Sequence, residues 1–147
     1  IDHTGAPVAK GLAKAAGNPP LSGRFLDEPG FRSAYYDEFI MLLGDAQASK
    51  WMERLDNLLA SAFVDAEQDA DILRKTAHAM VPLAGTPGFI DLARCCTELD
   101  HAISTGNFYF NELLAVRREA RRAAIVLSRL RADLSMRVQS NLNDSFL

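Results

Sequence analysis

His78 is the side chain on which a chemical role would turn. An imidazole acts as a nucleophile only when it is neutral, with the proton held on one nitrogen and the other free. A carboxylate accepting from Nδ1 would hold that proton. At about 100° of rotation per helical residue, Leu73, Thr76 through its methyl, Met80, Leu83 and Ala84 cluster opposite His78, whereas Asp71, Arg74, Lys75, Val81, Pro82 and Gly85 share its side. The ring therefore points away from the core. From helical geometry alone the stronger reading is a solvated surface histidine. Asp100 lies about 60° from the centre of its own helix's apolar stripe, at the rim, where a side chain can lean toward a neighbouring helix. An ordinary boundary carboxylate sits in the same place. His101 falls about 160° from that centre and reads as a surface residue.

The elements that must position these side chains are helical almost throughout. Phe31, Tyr35, Phe39 and Leu42 make a first stripe that ends near Gly44, where glycine suits a C-terminal cap. Trp51, Leu55, Leu58, Leu59 and Ala62 predict a second helix over 46–63. Asp69 or Asp71 begins the third, with acid in its first turn as the helix dipole prefers. Thr86 as N-cap and Pro87 as first helical residue open the fourth, whose stripe is Phe89, Leu92, Cys96, Leu99 and Ile103. The fifth carries the seam Leu113, Val116, Ala120, Ala123, Leu127, Leu130 and Leu134, with Arg117, Arg118, Glu119, Arg121 and Arg122 mostly outside it. That basic run reads as a solvated helix face in preference to a binding patch. No segment alternates like a strand, and helices with one apolar face are stable only when those faces meet. The expected fold is all-α: an antiparallel up-and-down four-helix bundle with an additional N-terminal covering helix.

Composition narrows the function classes. The 147 residues, 48% hydrophobic and 24% charged, fit one domain with a real core. A formal charge of -3 argues against a dedicated nucleic-acid binder. Cys95 and Cys96 are adjacent on a helix and diverge, so they form neither a disulfide framework nor a metal site. No apolar run approaches the roughly 20 residues of a membrane helix, and no signal peptide opens the chain. The expected setting is cytoplasmic, without membrane contact by this segment. Residues 1–23, rich in Ala, Gly and Pro and holding His3 and Lys14, read as a flexible linker or tail; 24–140 read as the helical bundle and 141–147 as a C-terminal tail. The start at Ile1 suggests a processed product or a piece of something longer.

The run from Asp71 through His78 to Gly88, followed by Leu92, Leu99 and Asp100, resembles the histidine-containing phosphotransfer (HPt) domain of multistep two-component phosphorelays. In that family an exposed histidine preceded by Ala opens the motif, a glycine follows ten residues later, here Gly88, and a Leu-Glu or Leu-Gln pair ends twenty-two residues later, here Leu99-Asp100. The resemblance spans about 25–134. It implies that His78 is the phosphoacceptor, that Asp100 orients its imidazole, and that Nε2 is the nucleophile. It also implies a donor aspartyl phosphate on a response-regulator receiver domain, with Mg²⁺ belonging to that receiver. This chain then holds no cofactor or metal and no ATP site, for it has no glycine-rich nucleotide loop. The expected partner is a receiver, free or within a hybrid histidine kinase, and the relay is expected to be a monomer. Arg74, Lys75, Ala79, Val81, Pro82 and Thr86 are the expected docking residues, an apolar patch beside two charges.

Two positions depart from the family pattern. Where the family commonly has Lys three and Gly four residues after the histidine, this chain has Val81 and Pro82. Arg74 and Lys75, one turn earlier, are the expected substitutes for the lysine charge. Pro82 removes the amide that would bond to the His78 carbonyl and predicts a kink or early helix end just after His78. These departures keep open a degenerate HPt-like module that binds a receiver or kinase without carrying phosphate. A third reading rests on the likeness of His78-Ala79-Met80-Val81-Pro82-Leu83 to the His-x-x-x-x-Pro-Leu box of a histidine kinase dimerisation domain, one residue short. That reading requires a two-fold dimer built on a helical hairpin and an ATP-binding partner domain.

Overall fold

The computed structural model describes residues 28–65 and 68–145. The segment expected as a linker, 1–23, lies outside them. Among the described residues the chain is all-helical, with five helices: α1 (Ser33–Leu43), α2 (Asp45–Ser61), α3 (Ala70–Gly85), α4 (Ile90–Ser104) and α5 (Phe110–Ser145). The last continues well into the stretch 141–147 that was expected as a tail.

Cross-contacts fix how the helices run. Asn141 donates to Asp45, Arg131 pairs with Asp56, and Arg117 donates to the carbonyl of Phe63, so residue numbers rise on α2 as they fall on α5. The two are antiparallel. Likewise a Cβ placed on Gly85 would meet Ala93, while His78 meets Asp100, so α3 and α4 are antiparallel across the short 86–89 turn. The remaining seams join α4 to α5, α2 to α3, and α1 to α2.

The core lies between these seams and is built from the periodic apolar residues: Met52 and Leu55 of α2, Leu73 and Met80 of α3, Leu92 and Leu99 of α4, and Leu127 and Leu130 of α5. Burial of each such side chain is worth about 1.5–3 kcal/mol. That gain gives the helices their stability, because isolated helices of this length are marginal in water.

α1 departs from the expected phase by one residue. Tyr36 and Phe39 are its buried aromatics, whereas Tyr35 is 50% and Leu42 75% exposed. The aromatic chain Phe89, Phe31, Tyr36, Phe39, Trp51, with ring centroids 5.0–6.0 Å apart, carries the packing from the α4 entrance to α2. The stripe was misread because Phe31 precedes the helix and so does not set its phase. Gly44 does end α1, with φ +84 and its N–H bonded to the Ile40 carbonyl.

Three further expectations are corrected. Thr86 is not the N-cap of α4: it closes α3 with helical φ and ψ, and α4 begins at Ile90 after Phe89. Nor does α3 end early. It runs past Pro82 to Gly85. One of the carbonyls that proline strands is recovered: Leu83 faces Pro87, which has no N–H to give, and Trp51 of α2 supplies its indole N–H instead at 2.9 Å. Finally, Glu119 is buried at 4% exposure, with Arg118 and Arg122 both on its carboxylate at 3.2 and 3.1 Å.

Candidate functional site

α3 buries Leu73, Ala77, Met80, Leu83 and Ala84, and the opposite face of the helix carries His78 into water. The His78 side chain is 77% exposed, and Nδ1 lies 3.1 Å from Oδ2 of Asp100 on α4, itself 22% exposed. An ionised carboxylate has no proton to donate. The contact is therefore a hydrogen bond only when Nδ1 carries the proton, and in the neutral ring this leaves the lone pair on Nε2.

The other carboxylate oxygen is also occupied. Ser104, one turn further along α4, donates its hydroxyl to Asp100 Oδ1 at 3.3 Å. Arg74 brings Nη1 to 3.9 Å from the same oxygen. Asp100 is thus held by three side chains from two helices, and Oδ2 faces His78. Ser104 was missed in the sequence, although its i,i+4 spacing from Asp100 is a readable signal.

The two cations expected to serve the phosphoryl group face an acid instead. Arg74 Nη2 is 3.3 Å and Lys75 Nζ 3.2 Å from the carboxylate of Asp71. Hydrogen bonds from Lys75 and then Arg74 hold the Asp71 carboxyl below its ordinary value. Both pairs are exposed, where such bridges are worth little and side chains exchange partners readily.

Around the ring, Ala79, Pro82 and Thr86 are exposed, while Val81 is half-buried and packs against the core. The expected apolar patch is therefore smaller by one side chain. His101 is exposed. Cys95 and Cys96 are buried free thiols, and burial raises both, Cys96 to about 12.

Gly88 explains its own place in the turn. Its φ is +118, and a Cβ there would stand 2.6 Å from the carbonyl oxygen of Arg32, whose N–H bonds to the Gly88 carbonyl at 2.9 Å. The glycine lets the segment entering α1 lie directly on the α3–α4 turn. That contact braces the hairpin which brings His78 and Asp100 together.

Among the described residues, no three His, Cys, Asp or Glu side chains converge to hold a metal ion. No described helix is long and apolar enough to cross a membrane. Comparison with family models, with curated proteins and with solved structures returned no match.

Proposed function

We propose that this chain is an HPt-like phosphorelay domain: His78 takes a phosphoryl group from the aspartyl phosphate of a receiver domain and passes it to another receiver. The observation that carries this reading is the exposed imidazole with its Nδ1 3.1 Å from a partly buried carboxylate. Nε2 attacks phosphorus, the P–N bond forms, the acyl P–O bond breaks, and the receiver's aspartate leaves as carboxylate. The ring then bears a positive charge, with Asp100 beside it. Mg²⁺ on the receiver would neutralise the transferring group.

The helix contacts support the finer architecture of the reading. α2 touches α3 and α5, α4 touches α3 and α5, and α1 touches α2, which supports an antiparallel four-helix bundle with a covering helix; it would act as a cytoplasmic monomer. Receiver docking would use Arg74, Lys75, Ala79, Pro82 and Thr86, with Val81 at the edge. Because α3 and α4 pack within one chain against α2 and α5, the dimerising-hairpin reading has less support.

One observation favours a second reading, a module that binds a receiver without carrying phosphate. Both nearby cations face Asp71, and Val81 stands where a lysine would help. Incubation with a phosphorylated receiver domain separates the two. The relay reading requires an acid-labile, alkali-stable phosphoryl group on the wild-type chain and none on His78→Gln; binding without transfer supports the second.

A further inference from the structure

A groove of about 370 Å³ runs between the end of α2 and the first half of α5, on a seam that shares no helix with the α3–α4 pair carrying His78. Leu59, Ala62, Phe63 and Val64 form one wall, and Arg117 and Arg121 stand with two alanines on the other. Its size falls within the range of built binding sites. Three observations mark it out.

The first is electrostatic. Of the four arginines in the basic run of α5, Arg118 and Arg122 share the single carboxylate of buried Glu119. Arg117 and Arg121, the two that line the groove, have no carboxylate partner among the described residues. The second is a donor left over. Arg117 spends Nε on the carbonyl of Phe63 at 2.7 Å, and its Nη2 is buried without a hydrogen-bond partner. Leaving such a donor unmet costs of order 1–3 kcal/mol, more for a charged group. The third is backbone strain. Phe63 is held at φ +61, a region that bulky side chains rarely adopt, and the same arginine pins it there. Beside it Val64 is left 69% exposed at the groove's lip.

We propose that this groove docks an acidic amphipathic segment of a partner protein. Apolar side chains of the segment would rest on Leu59, Ala62 and Phe63, and its carboxylates would pair with exposed Arg121 in the bidentate geometry that guanidinium favours, with the Arg117 charge behind them. A nucleic acid fits less well. Six of the eight lining residues are apolar, and a phosphate backbone leaves such a wall unused. The surface is independent of the phosphorelay reading and would let the chain hold one partner while His78 serves another.

The test uses the whole chain with three probes: a synthetic amphipathic peptide of Glu and Leu, its Lys/Leu counterpart, and oligothymidylate. Fluorescence anisotropy measures affinity and amide shift mapping locates the contact. The proposal expects the Glu/Leu peptide to bind, shifts centred on Leu59, Phe63 and Arg121, and at least a tenfold loss in Arg121→Glu. Arg121 is exposed, and an unchanged helical circular dichroism spectrum shows that the variant is folded. Absence of binding, equal binding of the Lys/Leu peptide, shifts on another face, an unaffected Arg121→Glu, or tighter binding of oligothymidylate to the same residues would each overturn it.

Discussion

Ser104 donates its hydroxyl to Oδ1 of Asp100 at 3.3 Å, and so turns the remaining oxygen of that carboxylate toward His78. Removing the hydroxyl in Ser104→Ala frees Asp100 to rotate without touching the ring. A hydrogen bond to a charged acceptor is worth about 1.5–3 kcal/mol, but only part of it reaches the ring because Asp100 itself stays in place, which predicts a roughly two- to tenfold slower transfer from a phosphorylated receiver. Thermal stability should stay nearly unchanged, because the residue is exposed. Equal transfer rates in the two proteins would show that Ser104 does not position Asp100.

Asp100→Ala removes the acceptor itself. A hydrogen bond involving a charged group contributes about 1.5–3 kcal/mol, so transfer should fall roughly ten- to hundredfold. The distinguishing readout is the imidazole tautomer by ¹⁵N spectroscopy. The wild-type ring should be protonated at Nδ1 when neutral, and the variant should show a mixture.

Pro82 sits inside α3, exposed, where a proline removes one helical hydrogen bond and crowds the carbonyl of His78. Pro82→Ala restores the amide. Stability should rise by about 1–3 kcal/mol, read as a shift of the urea midpoint with an unchanged slope.

Gly88→Ala tests the brace under the site. With φ at +118 and the Arg32 carbonyl 2.6 Å from the new Cβ, the backbone must move, at a cost of about 1–3 kcal/mol. Chemical denaturation gives the loss, and the His78 and Asp100 resonances should shift although neither residue was changed.

Alkaline pH addresses the core. Burial lifts the Cys96 thiol from 9.0 to about 12, so above pH 9 the unfolded chain loses this proton before the folded chain does. The contribution is complete below pH 9 and is lost as pH rises toward 12. Cys96→Ala should flatten that part of the stability profile. At neutral pH the folded chain should leave Cys96 unmodified by iodoacetamide, as read by mass spectrometry, and denaturant should expose it.

The sequence carried the helices wherever a long apolar stripe repeats, as from Leu92 to Leu99 and from Leu113 to Leu134, because three- and four-residue spacing dictates one buried face. It also carried the direction of His78, which depends only on rotation about α3. What failed was set by contacts distant in sequence. The phase of α1 follows from Tyr36 packing on Phe31 and Phe39 on Trp51, and the stranded Leu83 carbonyl near the end of α3 is met by Trp51. Glu119 reads as a solvent-facing acid because Gly30, which lies against its carboxylate, is far away in the chain. At the site, the pairing of Asp100 with Ser104 and the turning of Arg74 and Lys75 toward Asp71 were legible from i,i+3 and i,i+4 spacing. The 3.1 Å approach of Asp100 to His78 joins two helices, and local spacing does not set it.

Which atom of the chain bears phosphorus is the most direct question to put to it. In a ¹⁵N-labelled chain incubated with a phosphorylated receiver, phosphorus–nitrogen coupling identifies the bonded atom. A single phosphoryl group on Nε2 of His78, with the Nδ1 proton retained, is the expected result. Attachment at Nδ1, attachment to another residue, or a chain that binds the receiver and stays unphosphorylated would contradict it.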